Sequence, residues 1–319
     1  MFKQNNPRHE FSDLRDGIRS VGSQTDSDTL VLEQWVGRRQ SLTETIHPVQ
    51  VRQMAAAMDD PVRLARPGAA PLPAGWHWLY FNPLEVQSRL GPDGHPERGD
   101  FLPPVALPRR MWAGSRLQWE RAFTVGSVVT KSSEILKVTR KPGRNGEMVF
   151  VTVAHLYADA AGPILGEEHD IVYRDMPSPS EKAALAEFAA QVRAGRHAFE
   201  RTGVSIKPVK ADARLLFRYS AATFNGHRIH YDVDYCRDIE GYPGLVVHGP
   251  LIATLLLNYV ENEIAAGRFV KKFEFRASRP TFDLSPFHLH ASGENNGHYD
   301  VWSSNNLGEV GIDGRITLA

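Results

Sequence analysis

The chain has 319 residues, 42% of them hydrophobic and 23% charged, which is the composition of a soluble globular protein with room for two cores. Lysine and arginine total 37, as do aspartate and glutamate, so no net field draws nucleic acid or an acidic membrane surface, and neither is expected as a partner. The single cysteine, Cys236, excludes an intramolecular disulfide framework and reads as a buried structural thiol in a reducing compartment.

Residues 1–29 are polar and rich in Ser, Asp and Arg, so they are expected to be poorly ordered. They hold no apolar stretch suited to a secretory signal, and the longest apolar run, Leu251 to Leu257, is far short of a membrane span. A cytoplasmic location follows as the expectation. Pro48 can open a helix in which Val51, Met54, Ala55 and Met58 recur at helical spacing until Asp59-Asp60-Pro61. Residues 91–108 are dense in Pro and Gly and read as a long ordered loop, a type of segment that often carries function.

From 133 to 174 the period changes to two. Val149, Val151 and Val153 alternate with Phe150, Thr152 and Ala154, which predicts a strand buried on both faces, preceded by a turn at Lys141–Gly146. Ser178, Pro179 and Glu181 form a capping box, and the helix behind it carries Leu185, Phe188, Ala189 and Val192 on one face before ending near Gly195. The second half repeats the order of elements. A helix is expected after His230, and a longer one from Pro250 to about Ala266. Strands follow around Phe273 and Phe275, and around Phe287, Leu289 and Ala291. His288 and His290 face one way on the last of these and read as partly solvated surface.

Chemistry concentrates at 219–232, Tyr-Ser-Ala-Ala-Thr-Phe-Asn-Gly-His-Arg-Ile-His-Tyr-Asp, and at 244–250, Gly-Leu-Val-Val-His-Gly-Pro. Together these resemble the active-site segment of the MaoC-like hydratases, also called hydratase 2. That family's pattern is Asp-x-Asn-Pro-x-His, followed after a gap by a His-Gly that opens a hydrophobic helix. His230 matches the final histidine, Gly249 the glycine, and Tyr219, Thr223 and Asp232 fall where the family places equivalents. Asn225 stands in place of the aspartate, and His227 and Arg228 replace Asn-Pro. The run at 107–114 also resembles the first half of a subgroup that includes mesaconyl-C4-CoA and itaconyl-CoA hydratases and type 2 3-hydroxyacyl-thioester dehydratases.

The resemblance implies an α+β double hot-dog, two halves that each curve an antiparallel sheet around a central helix. Residues 1–177 would be a degenerate first half shaping the acyl pocket, 178–204 a linker helix and 205–319 the catalytic half. The implied activity is reversible hydration of a 2-enoyl-CoA thioester, with itaconyl-CoA or mesaconyl-C4-CoA giving citramalyl-CoA as first choice. The alternatives are a fatty-acid-type 3-hydroxyacyl dehydratase acting on CoA or carrier-protein esters, a thioesterase, and an acyl-thioester-binding protein without catalysis. An acyl-CoA is the expected partner, no cofactor is called for, and a homo-oligomer stays open.

Hydration needs a base for water, an acid for the alpha carbon, and a donor for the oxygen that becomes an enolate. His230, whose type titrates near neutrality, is the expected acid/base. Gly249 offers an unpaired helix-start amide as the oxygen's donor, although a glycine before Pro250 would also serve as a plain helix entry. Asn225 can hold water by hydrogen bonds but cannot act as a base. Asp232 is either the substitute carboxylate or the cap of the next helix. Tyr219, His227, Arg228 and His248 are expected to line the substrate. Arg109 and Arg110, with Arg98 upstream, either hold phosphate or a second carboxylate or are paired within the protein. The loose spacing of His227, His230 and His248 predicts no metal.

Overall fold

The computed structural model describes residues 31–319 apart from 69, 144, 145, 196–198, 200 and 202. The expected poorly ordered start at 1–29 lies outside the described residues. Among the described residues ten strands are formed: β1 (Arg39–Thr45), β2 (Arg109–Trp119), β3 (Val128–Gly143), β4 (Gly146–Asp159), β5 (Gly162–Arg174), β6 (Ser205–Val209), β7 (Val270–Ala277), β8 (Phe287–Ala291), β9 (His298–Ser304) and β10 (Val310–Leu318). They build one sheet in the order β1-β3-β4-β5-β2-β7-β10-β9-β8-β6, with every pairing antiparallel.

Read inward from either edge, each half follows the order first, third, fourth, fifth, second strand, and β2 meets β7 at the seam from Gly114↔Arg276 to Gln118↔Lys272. The repeated element order of the sequence is therefore a repeated topology, and the architecture is the double hot-dog. The seam is tight: a Cβ on Gly114 would lie 2.4 Å from the Phe275 carbonyl oxygen, so only glycine lets the two halves approach this closely.

Among the described residues, the α-helices that accompany the sheet include α1 (Pro48–Ala57), α2 (Pro61–Ala65), α3 (Pro179–Ala194), α4 (Ala213–Ala222) and α5 (Gly249–Tyr259). Helix α5 is apolar around most of its circumference, with Leu251, Ile252, Ala253, Leu256 and Leu257 all buried, as befits a helix wrapped by strands. It packs against β8, β9 and β10, while α1 packs against α4. One continuous core includes Met54, Trp76 and Leu117 of the first half together with Leu251, Phe273 and Ile316 of the second. The capping box on α3 is complete, with the Ser178 hydroxyl accepting from Glu181 N–H and the Glu181 carboxylate accepting from Ser178 N–H, and Gly195 ends the helix in the left-handed region.

Some expectations needed revision. The periodicity reading missed β1, all of β2 and the start of β3; β1 is largely exposed and shows no alternation of burial. In β4, Val149, Val151 and Val153 are buried as expected, whereas Phe150, Thr152 and Ala154 are only half-buried. After a 3-10 turn at Arg228–His230, the helix expected beyond His230 is present as a π-helix (Tyr235–Ile239). His288 and His290 are buried, not solvated. His290 stacks on Trp302 at 5.0 Å and bonds Ser304 at 2.8 Å, and Phe199 from the linker packs on both histidines. Cys236 is buried as read, and burial pushes its thiol up to about 12.

Candidate active site

The end of α4 sets the geometry of the motif. Thr223 Oγ1 donates to Tyr219 O at 2.7 Å, Phe224 takes a left-handed conformation (φ 49°), and Asn225 N–H bonds Ser220 O at 2.8 Å. Asn225 Oδ1 then accepts from His227 N–H at 3.0 Å, an Asx turn that swings the chain into the Arg228–His230 turn. Asp232 accepts from Tyr235 N–H at 2.9 Å and from the Arg228 guanidinium at 2.8 Å. It therefore caps the following turn and is not a free carboxylate in the site.

His230 is buried, and its Nδ1 lies 2.7 Å from Val246 O. The carbonyl can only accept, so Nδ1 carries the proton and Nε2 keeps its lone pair for a ligand. Burial pulls the pKa of His230 down to about 3. Its ring stacks on His248, the N-cap of α5, at 3.6 Å and 18°. His248 is in turn held by Ser220 Oγ at 2.8 Å. Gly249 is the first residue of α5, and its amide is among those without an intrahelical partner.

A cavity of about 770 Å³ opens beside these groups and draws its walls from both halves. Of the residues expected at the site, Arg110, Tyr219, Asn225 and Arg228 line it, with Pro250 from the start of α5. His227, His230, His248 and Gly249 are not among its lining residues; Gly226 and Arg228, on either side of His227, and Pro250, next to Gly249, are. Arg109 does not reach it. Its guanidinium is buried in an ion pair with Glu240 (3.0 Å) and a hydrogen bond to the Tyr242 hydroxyl, because alternation along β2 sends Arg109 and Arg110 to opposite faces. Arg98 is likewise spent, donating to the carbonyls of Val105, Leu107 and Pro108 at 2.5 Å each.

Two groups escaped the sequence reading. The first sits on the Pro- and Gly-rich loop, which docks onto the motif. Arg228 N–H bonds Asp93 O at 2.9 Å, and the Arg228 guanidinium bonds Pro92 O at 3.0 Å. A Cβ on Gly94 would lie 1.9 Å from Gly226 O, so a glycine is obligatory at this crossing. Docking brings His95 to 4.1 Å from His227, ring to ring, and His227 lies 5.3 Å from His230. Asp93 Oδ2 accepts from His95 Nδ1 at 3.0 Å, which fixes the tautomer and leaves His95 Nε2 as a second lone pair. Burial, followed by the charge of Arg110, lowers His95 to about 4. Thus a carboxylate from the other half of the chain, Asp93, holds His95, which lines the cavity beside the motif.

Asp93, His95 and His227 also place ligand atoms within 4.8 Å of one another, a donor set the expectation of no metal had not considered. Asp93 already accepts both the side-chain and the backbone N–H of His95, which is the geometry of a carboxylate–histidine dyad.

The second group is a polar band on the pocket face of β2–β5. Glu167 is buried and accepts from Trp78 Nε1 (3.2 Å), His77 Nε2 (3.3 Å) and Tyr157 OH (3.3 Å). Burial works to raise its pKa, and the bond from His77 together with the electrostatic pull of His77, His155 and His169 outweighs it, holding the carboxyl below the ordinary range. Lys131, His155 and His169 line the cavity beside it. The available signal was a break in inward-facing hydrophobicity: at period two along β5, Leu165 and Ile171 bracket Glu167 and His169.

A curved sheet around a helix whose free amides face a buried histidine defines a double hot-dog hydratase or dehydratase of acyl thioesters. The family described as Hydroxyacyl-thioester dehydratase type 2 matches residues 75–283, and the chain belongs to it. A mesaconyl-C(4)-CoA hydratase from Chloroflexus aurantiacus is 41% identical over 255 residues, covering 80% of this chain and 86% of that protein. A mitochondrial hydroxyacyl-thioester dehydratase type 2 from Schizosaccharomyces pombe is 25% identical over 242 residues, 68% of this chain and 77% of that one. Among solved structures, a MaoC-like dehydratase superposes with a TM-score of 0.64 at 15% identity, over 90% of this chain and 99% of that one. Another, from Phytophthora capsici, gives 0.63 at 14% identity over 91% and 97%. Among the described residues no helix is long and apolar enough to cross a membrane.

Proposed function

We propose that the protein reversibly hydrates a 2-enoyl-CoA whose acyl group is a C5 dicarboxylate, with mesaconyl-C4-CoA giving citramalyl-CoA as the leading pair. The observation that carries the reading is His230, which presents a neutral Nε2 beside the first turn of α5. The thioester oxygen lies against the α5 amides, where the enolate charge develops and fixed donors help most. His230 takes a proton from water, the hydroxide oxygen bonds to the beta carbon, and the same proton returns to the alpha carbon. Water is consumed whole, so one imidazole balances the step. The Asn225 amide holds the water through its Nδ2, since Oδ1 is engaged in the turn, and Asp93 fixes the orientation of the His95 ring beside His227.

In this reading the second half, 205–319, supplies the chemistry and the first half, 1–177, the acyl pocket, joined through the linker at 178–204, with one site per chain. The test is incubation with crotonyl-, mesaconyl- and itaconyl-CoA. Loss of enoyl absorbance without release of thiol supports hydration, release of thiol marks a thioesterase, and neither change marks a binder. The relatives named as dehydratases favour a second reading, in which the same site runs in reverse on 3-hydroxyacyl thioesters.

Two expected outcomes arise here. Asn225→Ala should lower turnover about 10-fold by releasing the turn that places His227 and His230, on the scale of one lost hydrogen bond. Asn225→Asp keeps an acceptor for His227 N–H and should retain most activity. An unchanged alanine variant would make Asn225 a bystander. Second, His230 and His95 are held down to about 3 and about 4, so both stay unprotonated as pH falls through 6.5. kcat/KM should therefore remain flat from about pH 8 to about pH 5 and fall only below that, checked alongside circular dichroism for folding. An acidic limb centred near 6.5 would contradict the buried neutral base.

A further inference from the structure

Lys131 on β3 reaches into the cavity from the first half, 5.7 Å from the ring centroid of buried Tyr157, and among the described residues it has no ion-pair partner. Lys131 is half-buried, so its ammonium is partly withdrawn from water with no anion against it, an arrangement that a bound anion would complete. Burial lowers the pKa of Lys131 and the charge of Glu167 only partly opposes that; Glu167 lies beyond ion-pair reach and its oxygens are taken by His77, Trp78 and Tyr157. Two neutral imidazoles flank the ammonium on neighbouring strands. His155 Nδ1 bonds Ser133 Oγ at 2.7 Å, leaving Nε2, and His169 lies 6.2 Å away, ring to ring. Arg110, which forms none of the ion pairs seen among the described residues, contributes a second positive charge to the same wall.

We infer that Lys131, His155 and His169 form a subsite for a second carboxylate on the acyl group, and that its distance from α5 selects short dicarboxylic acyl chains. The spacing comes from Trp112. The edge of its indole is 3.8 Å from where a Cβ on Gly249 would stand, and the ring lies 4.9 Å from His169. Trp78 meets it edge-on at 5.1 Å, and its N–H is fixed by Glu167. The helix start and the cationic cluster are thus one indole apart, with aromatic walls between them. That interval suits an acyl group of a few carbons ending in a carboxylate and places the end of a long saturated chain against Lys131 and Glu167, where burying apolar atoms strands charges. A carboxylate there accepts from the ammonium and from the protonated nitrogens of both imidazoles.

The inference rests on the acyl-thioester reading for the location of the thioester, so its test uses binding and does not require turnover. Calorimetric titration would compare succinyl-CoA, which carries the second carboxylate, with butyryl-CoA, which has the same chain length without it. Wild-type protein is expected to bind succinyl-CoA at least 10-fold more tightly. Lys131→Met, of similar volume, should abolish that preference while leaving butyryl-CoA affinity unchanged, and His169→Gln should reduce it. Equal affinity for the two esters in wild-type protein, or an equal loss of both in Lys131→Met, overturns the subsite. Failure of hydration with the preference intact would count against the proposed reaction and leave the subsite standing.

Discussion

Replacing His230 by alanine should cut turnover by about 100-fold or more with the fold preserved, the usual scale for losing general acid/base help. The variant removes the only imidazole of the motif that is both held by a backbone carbonyl on Nδ1 and stacked on the N-cap of α5. His248 keeps its bond to Ser220, so the helix entry should survive, and circular dichroism would confirm it. The Asp93–His95 dyad cannot substitute, because His227 stands between it and His230. Turnover near that of the wild type would remove His230 from the mechanism and move the chemistry to His95.

Gly249→Val should depress turnover on the order of 100-fold, the cost of losing one donor to a developing oxyanion. The protein itself has room: the added Cβ would meet nothing nearer than Trp112 at 3.8 Å, ordinary contact. A loss would therefore report on the bound thioester and not on a disrupted fold. The charge exists only in the transition state, so kcat should fall more than affinity. A raised KM with kcat unchanged would instead mean steric exclusion and leave Gly249 a packing residue.

The local parts of this site were legible because local sequence builds them. The Asn225–Asp232 segment, the His248-Gly249-Pro250 helix entry and the Ser178–Glu181 capping box each act within a few residues, and their hydrogen bonds follow from residue type and spacing. The distant parts were not. Asp93 and His95 reach His227 only because Gly94 and Gly226 let two loops cross, and no pattern within either loop announces the other. Arg109 and Arg110 read as one cluster, yet a strand of period two separates them, one into a buried ion pair and one into the cavity. His288 and His290 read as solvated because Phe199, which packs on both, lies in the linker. Lys131, His155 and His169 became a cluster only through the register of three strands.

The most direct test of the account follows the oxygen atom. Mesaconyl-C4-CoA would be incubated with the protein in water enriched in the heavy oxygen isotope and the product analysed by mass spectrometry. The account predicts one heavy oxygen in a new hydroxyl on the beta carbon, with the CoA thioester intact and the label absent in the His230→Ala protein. Heavy oxygen in a freed carboxylate with CoA released as thiol, or an unlabelled and unchanged substrate, would contradict it.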